Sequence, residues 1–224
     1  MALPGGANGG GVVRIAGWRT TFLGPFSRPG ILAQHLHDLG PDALALSCSR
    51  ASALPRARRV IEAAREAGVP VLVGGRGFGA DDTRARRLGA DAWAATPQDA
   101  LDLLAVLPPY TAPPPPVASP WLEEYAQLQL RGEQVLAALG GGELARAPVE
   151  RLEHALDFLA AALFADDDDI LLDYVGWLRQ ALPARGTRVS EVALVLERCA
   201  QALPDLPHAH ALLLRAAKTA HEVD

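Results

Sequence analysis

Residues 108–120, PPYTAPPPPVASP, hold seven prolines in thirteen positions. Proline fixes φ and has no N–H to donate, so neither a helix interior nor a central strand can run through such a stretch. It behaves as a stiff, extended spacer. The chain must therefore build on either side of it. The expected division is a domain over residues 1–107, a linker over 108–119 and a second domain over 120–224.

The first half alternates strand and helix signals. RTTFLG (19–24) reads as a strand ending in Gly24, and GILAQHLHDLG (30–40) as an amphipathic helix stopped by Gly40. ALALS (43–47) is a short apolar strand, and PRARRVIEAAREAG (55–68) a helix with a basic outer face and a terminal glycine. VPVLVGG (69–75), DDTRARRLGA (81–90), DAWAA (91–95) and PQDALDLLAVL (97–107) continue as strand, helix, strand, helix. Strands separated by helical stretches argue for a parallel sheet with helices on both faces. Ligands of such sheets sit beyond the carboxyl ends of the strands. Here those ends are small: Gly24, Ser47-Cys48-Ser49, Gly74-Gly75 and Ala95-Thr96. The expectation is a four-stranded sheet, with residues 1–8 loose and a short helix starting near Gly11 ahead of Trp18.

The second half reads as five helices. Ser119 is placed to cap the first of them, with Pro120 following it. Val149, Leu152, Leu156, Leu159 and Leu163 recur at 3–4 spacing on the second. DDDDILLDYVGWLRQAL (166–182) opens with four aspartates, where a helix macrodipole favours them and where solvation is the plain expectation. Two more helices span about 188–203 and 207–222.

Composition narrows the function. Half of the residues are hydrophobic, enough for a core. The net charge of −5 gives no electrostatic case for nucleic acid. No stretch reaches 18 apolar residues, so no membrane span is expected. MALPGGANGGG has neither a basic region nor an apolar core, so it does not read as a signal peptide; a cytoplasmic protein is the expectation. Cys48 and Cys199 lack metal-ligand spacing and read as reduced thiols. G-G-R-G-F-G (74–79) follows a late strand without an acidic ribose partner, so it is a poor dinucleotide fingerprint, and it lacks the lysine of a P-loop. Ser47 has no G-x-S-x-G elbow. No catalytic constellation is visible, and a non-enzymatic protein is expected. The glycines of V-L-V-G-G-R-G-F-G (71–79) imply a close neighbour that leaves no room for side chains.

The order and spacing of Ser47, Gly74-Gly75 and Gly89-Ala90-Asp91 resemble the cobalamin-binding domain of methionine synthase, methylmalonyl-CoA mutase and the B12-dependent light sensors. The resemblance covers residues 12 to about 105. It implies a flavodoxin-like sheet of order 2-1-3-4-5 and a corrinoid contacted near Gly24, Ser47, Ser49, Gly74 and Gly75. It also implies that the glycine pair borders the slot of the corrinoid's flat nucleotide tail. The sequence departs from the family at Ser49, where the family has leucine. Counting back by the family's spacing puts Gly5 at the motif glycine and Ala2 at the cobalt-ligating histidine; the aspartate and the first strand would precede Met1. Alanine has no lone pair to give cobalt, so histidine ligation through that motif is not expected. His35 and His37 lie two apart on one helix and read as surface residues.

With its helical second half and the string DYVGWLRQAL, the chain is similar to the photocobilins, in which a globin-like domain holds biliverdin. The resemblance implies a sensory or regulatory protein whose cofactor is biliverdin or a related tetrapyrrole, held by the helical half and its interface with the first. A regulatory partner or homo-oligomer is implied as well. From residue chemistry, the pocket candidates are Tyr125, Arg131, Tyr174, Trp177, Arg179, His208 and His210, since arginine suits a propionate and aromatic rings suit a pyrrole face. Each has a plain alternative: Tyr174, Trp177 and Leu178 at i, i+3, i+4 also fit a core, and His208 and His210 a surface. A corrinoid carrier for methyl transfer and a ligand-free interaction scaffold remain the other readings.

Overall fold

The computed structural model describes residues 17–24, 29–108, 118–139, 149–183 and 189–221. The chain divides into two compact units, Met1–Ala118 and Ser119–Asp224. The expected helix before Trp18, the loose residues 1–8, the Ala2 position and residues 109–117 of the linker lie outside the described residues.

The first unit runs α1 (Pro29–Leu39), β1 (Leu44–Ser47), α2 (Leu54–Glu66), β2 (Val71–Gly74), α3 (Thr83–Arg87), β3 (Ala92–Ala94) and α4 (Pro97–Val106). The strands form one parallel sheet in the order β1-β2-β3. Leu72 faces Ala43, Ala94 and Leu104, with Trp18, Leu103 and Leu107 packed around them. Val71 and Val73 point to the opposite face by the alternation of the pleat, and they too are buried. A sheet apolar on both faces is what an α/β layer requires. The helices start and stop for local reasons. Leu54, Ala57, Ile61 and Ala64 make the buried stripe of α2, and Gly68 takes the left-handed conformation just past its end. Thr96 and Asp99 close a reciprocal capping box on α4, with Pro97 at its first turn. Asp91 pins β3 to β2: its carboxylate accepts from Val71 N–H at 2.7 Å, and its own N–H donates to Val71 O at 2.9 Å.

The truncated flavodoxin-like sheet is present, but with three strands among the described residues and not four. Residues 19–24 hold only an isolated bridge at Thr21. Two threonines favour an extended backbone, yet of the two large apolar side chains of this stretch Phe22 is 64% exposed and Leu23 is only half-buried. A segment that buries so little has small reason to join a sheet. The expected helix over 81–90 also contracts to Thr83–Arg87, because Gly89 takes a positive φ and Asp91 is already committed to β2.

The second unit has five helices among the described residues: α5 (Leu122–Leu139), α6 (Val149–Ala165), α7 (Asp169–Ala181), α8 (Val189–Ala202) and α9 (Pro207–His221). Their core includes Leu128, Leu159, Leu163, Leu171, Val175, Leu196, Leu212 and Leu213. Ser119, expected as an N-cap, accepts from Trp121 N–H at 3.1 Å, and its hydroxyl donates to Leu163 O at 2.5 Å. Glu124 caps α9 across the unit, accepting from His208 and Ala209 N–H at 3.1 and 2.8 Å.

Candidate functional site

The glycine-rich turn at the carboxyl end of β2 is tightly enclosed. A Cβ on Gly74 would lie 2.8 Å from Ala94 O, and one on Gly75 would lie 2.5 Å from Cys48 O. A Cβ on Gly77 would lie 2.9 Å from the Arg50 carbonyl and from Cys48 Sγ. The close neighbour implied by the glycines is thus the chain's own backbone, from the loop after β1 on one flank and from β3 on the other. Hydrogen bonds hold that fit: Cys48 N–H donates to Gly74 O, and Gly77 N–H to Cys48 O, both at 2.9 Å. Residues 76–78 coil into a 3₁₀ turn that places Phe78 fully inside.

Outward, the same edge is open and made of small side chains. Ser47 ends β1 beside Gly74 in register, and Gly74 lies beside Ala94 of β3. Ser47, Ser49, Gly75, Ala95 and Thr96 are all exposed, with Arg50 and Arg76 next to them. Gly24, also expected at this row, has φ +80° in a stretch that forms no strand. No histidine of the first unit lies on this edge. His35 and His37 are exposed on the later half of α1, which leads into the amino end of β1. Two thiols are buried and free. Burial raises the Cys48 thiol above its ordinary range while its Sγ donates to Arg50 O, and burial pushes Cys199 up to about 12.

The candidates in the second unit divide into separate groups. Tyr174 stacks on Phe158 of α6, with centroids 4.0 Å apart, and Trp177 follows at 6.2 Å, 54% exposed. Tyr125 instead meets Phe164, further along α6. Arg131 forms a two-point ion pair with Asp205, at 2.8 and 3.1 Å. His210 Nδ1 is 2.8 Å from Ala200 O. Arg179 is half-buried on α7, two residues past Trp177. Tyr174 also lines an apolar cleft with Ala155, Val175, Leu178, Val192, Val195, Leu196 and the carboxylate Glu191; its free interior is about 20 Å³, room for roughly one water. The structure therefore brings Tyr174 and Trp177 together and leaves Tyr125, Arg131 and His210 elsewhere.

Two surface expectations are corrected. His208 is half-buried, stacked on Trp121 at 3.9 Å with the rings 2° from parallel, and its Nε2 lies 2.9 Å from Asp168. The acidic run is not merely solvated. Asp166 accepts from Trp121 Nε1 at 3.0 Å, and Asp168 also accepts from Arg215 at 2.6 Å. No sequence signal joins these residues, because they come from the start of α5, the turn between α6 and α7, and α9, far apart in the chain. Among the described residues no cluster of metal-ligating side chains occurs, and no helix is long and apolar enough to cross a membrane.

Residues 10–105 match the family model of the B12 binding domain. The matched segment lies within the first unit and is less than half of the chain. The resemblance drawn from Ser47, Gly74-Gly75 and Gly89-Ala90-Asp91 is borne out over that segment, and a corrinoid-binding-like role is supported for it at the level of the family. No curated protein matches the chain.

Proposed function

We propose that the first unit takes a corrinoid-type macrocycle across the carboxyl edge of its sheet and serves a sensory or regulatory role without catalysing a reaction. The observation that carries this is the row of exposed small residues, Ser47, Ser49, Ala95 and Thr96, on a unit similar to the B12 binding domain. A flat ring can approach such an edge closely. The serine and threonine hydroxyls, with Arg50 and Arg76, offer donors to the amide groups on a corrin's rim. A bound corrinoid would supply a visible chromophore and a cobalt with exchangeable axial positions. The reading includes no histidine ligand, since both imidazoles of this unit belong to α1. The test is titration of the purified chain with aquacobalamin, followed by dialysis and visible absorption. One retained equivalent supports the reading, and complete loss on dialysis removes it. Histidine-derived splitting in the spin-resonance spectrum of the Co(II) form would overturn the ligation part alone.

A bilin such as biliverdin in the second unit is the finer reading. One observation favours it: the ring ladder Phe158–Tyr174–Trp177, open at its Trp177 end beside an apolar cleft. It requires that cleft to widen, and it requires cations other than Arg131, which is engaged by Asp205. Reconstitution with biliverdin tests it: a red-absorbing complex supports it, and a spectrum identical to free biliverdin removes it.

A further inference from the structure

We infer that a corrinoid on this unit keeps its nucleotide tail outside the sheet, so that the protein recognises the macrocycle and not the tail. The inference rests on the corrinoid reading above and narrows the ligand state it admits. A tail inserted at the glycine pair needs a slot beside those residues, and both flanks are occupied. On the β3 side, the Cβ direction of Gly74 meets Ala94 O at 2.8 Å; on the β1 side, that of Gly75 meets Cys48 O at 2.5 Å. Beyond the last registered pair, Ser47 with Gly74, the strand ends stay joined by the Cys48 N–H to Gly74 O and Gly77 N–H to Cys48 O bonds. Further out, a Cβ on Gly77 would meet the Arg50 carbonyl at 2.9 Å, and Phe78 after it is fully buried. A planar base entering here would separate both hydrogen-bonded pairs and leave buried backbone groups unpaired. The glycines that would border a tail slot are instead committed to this chain's own loop.

What remains for a ligand is the outer row of small residues. A cobalamin resting there retains its own base on cobalt, because among the described residues of this unit neither a tail slot nor an imidazole lies at that edge.

The experiment compares aquacobalamin with a cobinamide, the same macrocycle without the nucleotide, by equilibrium dialysis against the full chain at neutral pH. The expected result is dissociation constants within about threefold of one another, with bound cobalamin keeping its base-on spectrum. A preference for cobalamin of about tenfold or more, or a base-off spectrum on binding, overturns the inference and leaves the corrinoid reading standing. Retention of neither compound removes the corrinoid reading, and the inference falls with it. The variant Gly75→Ala gives an independent arm. It is expected to lower the hydrogen-exchange protection of the β2 segment without changing the ratio of the two affinities. Unchanged β2 protection with selective loss of cobalamin over cobinamide would assign Gly75 to the tail and overturn the inference.

Discussion

Replacing Gly75 by alanine tests the enclosed turn most directly, because two costs meet at one methyl group. The first is conformational. Gly75 sits at φ +92°, ψ 160°, a region that residues with a Cβ occupy at a cost of about 1–3 kcal/mol. The second is steric. The new Cβ would lie 2.5 Å from Cys48 O and 3.1 Å from Cys48 C and N, all backbone atoms that no rotamer change can move aside. Relief demands that the loop after β1 retreat from β2. That movement loosens the Cys48–Gly74 and Gly77–Cys48 hydrogen bonds, each worth about 0.5–1.5 kcal/mol net. Together the terms give a loss of about 3–5 kcal/mol, a large share of a domain's usual stability. The two units can unfold separately, so a single melting curve does not isolate the effect. Hydrogen exchange of the β2 segment does, and its protection is expected to fall by roughly 10²–10⁴-fold. Gly176→Ala is the internal contrast. It lies inside α7 with no atom within 4 Å of its added Cβ, and it is expected to stabilise by about 0.5–1 kcal/mol. If Gly75→Ala leaves β2 protection within about 0.5 kcal/mol of wild type, the reading of the turn as a self-filled fit is refuted.

Trp177→Ala is expected to cost about 1–2 kcal/mol, well under the loss for a fully buried ring, because 54% of the residue already meets solvent; chemical denaturation of the helical unit measures this, and a loss above about 3 kcal/mol would show the ring to be core. Both thiols should resist a thiol-specific reagent at pH 8 in the native state, Cys199 most strongly, since burial pushes its thiol up to about 12; rapid labelling of the folded protein would contradict that burial. Arg131→Gln should raise the Asp205 carboxyl, held low chiefly by its hydrogen bond to Arg131, toward the ordinary carboxylate range in a carbon-13 titration. The sign follows from that lowering: the pair contributes above the unfolded carboxylate pKa, and the contribution is lost as pH falls through the lowered folded value. Asp205 is exposed, so added salt should weaken the effect, and an unaltered titration in Arg131→Gln would sink the assignment.

The sequence is most legible where a contact is local. Thr96-Pro97-Gln98-Asp99 announces a helix start because all partners of a capping box lie within one turn. Gly68 and the apolar stripe of α2 likewise mark an end and a buried face from neighbours in the chain. The strand expected at 19–24 failed because local preference was its sole support: Phe22 is exposed and Leu23 only half-buried, so the segment buries little. The stack of His208 on Trp121, tied to Asp168 and Arg215, was beyond reach for the opposite reason: each partner comes from a distant segment and each taken singly looks solvated.

Gly74, Gly75 and Gly77 fall between these cases, and they show how a correct inference about space can leave its occupant open. A run of glycines after an apolar strand states that something approaches the backbone too closely for a Cβ. It does not state what. A ligand and a neighbouring loop impose the same demand on the residue and the same spacing on the motif. Only the three-dimensional path of Cys48–Arg50 distinguishes them, and that path is set by a 3₁₀ turn at Ala51–Ala53 and by the register of Ser47 on Gly74. Once the loop is in place, substitution at Gly75 becomes a question of folding, while substitution at Ser47 or Ser49, which are exposed, becomes one of binding. A corrinoid seated on the outer row should therefore respond to Ser49→Leu through affinity with little change in stability, and to Gly75→Ala through stability with little change in selectivity.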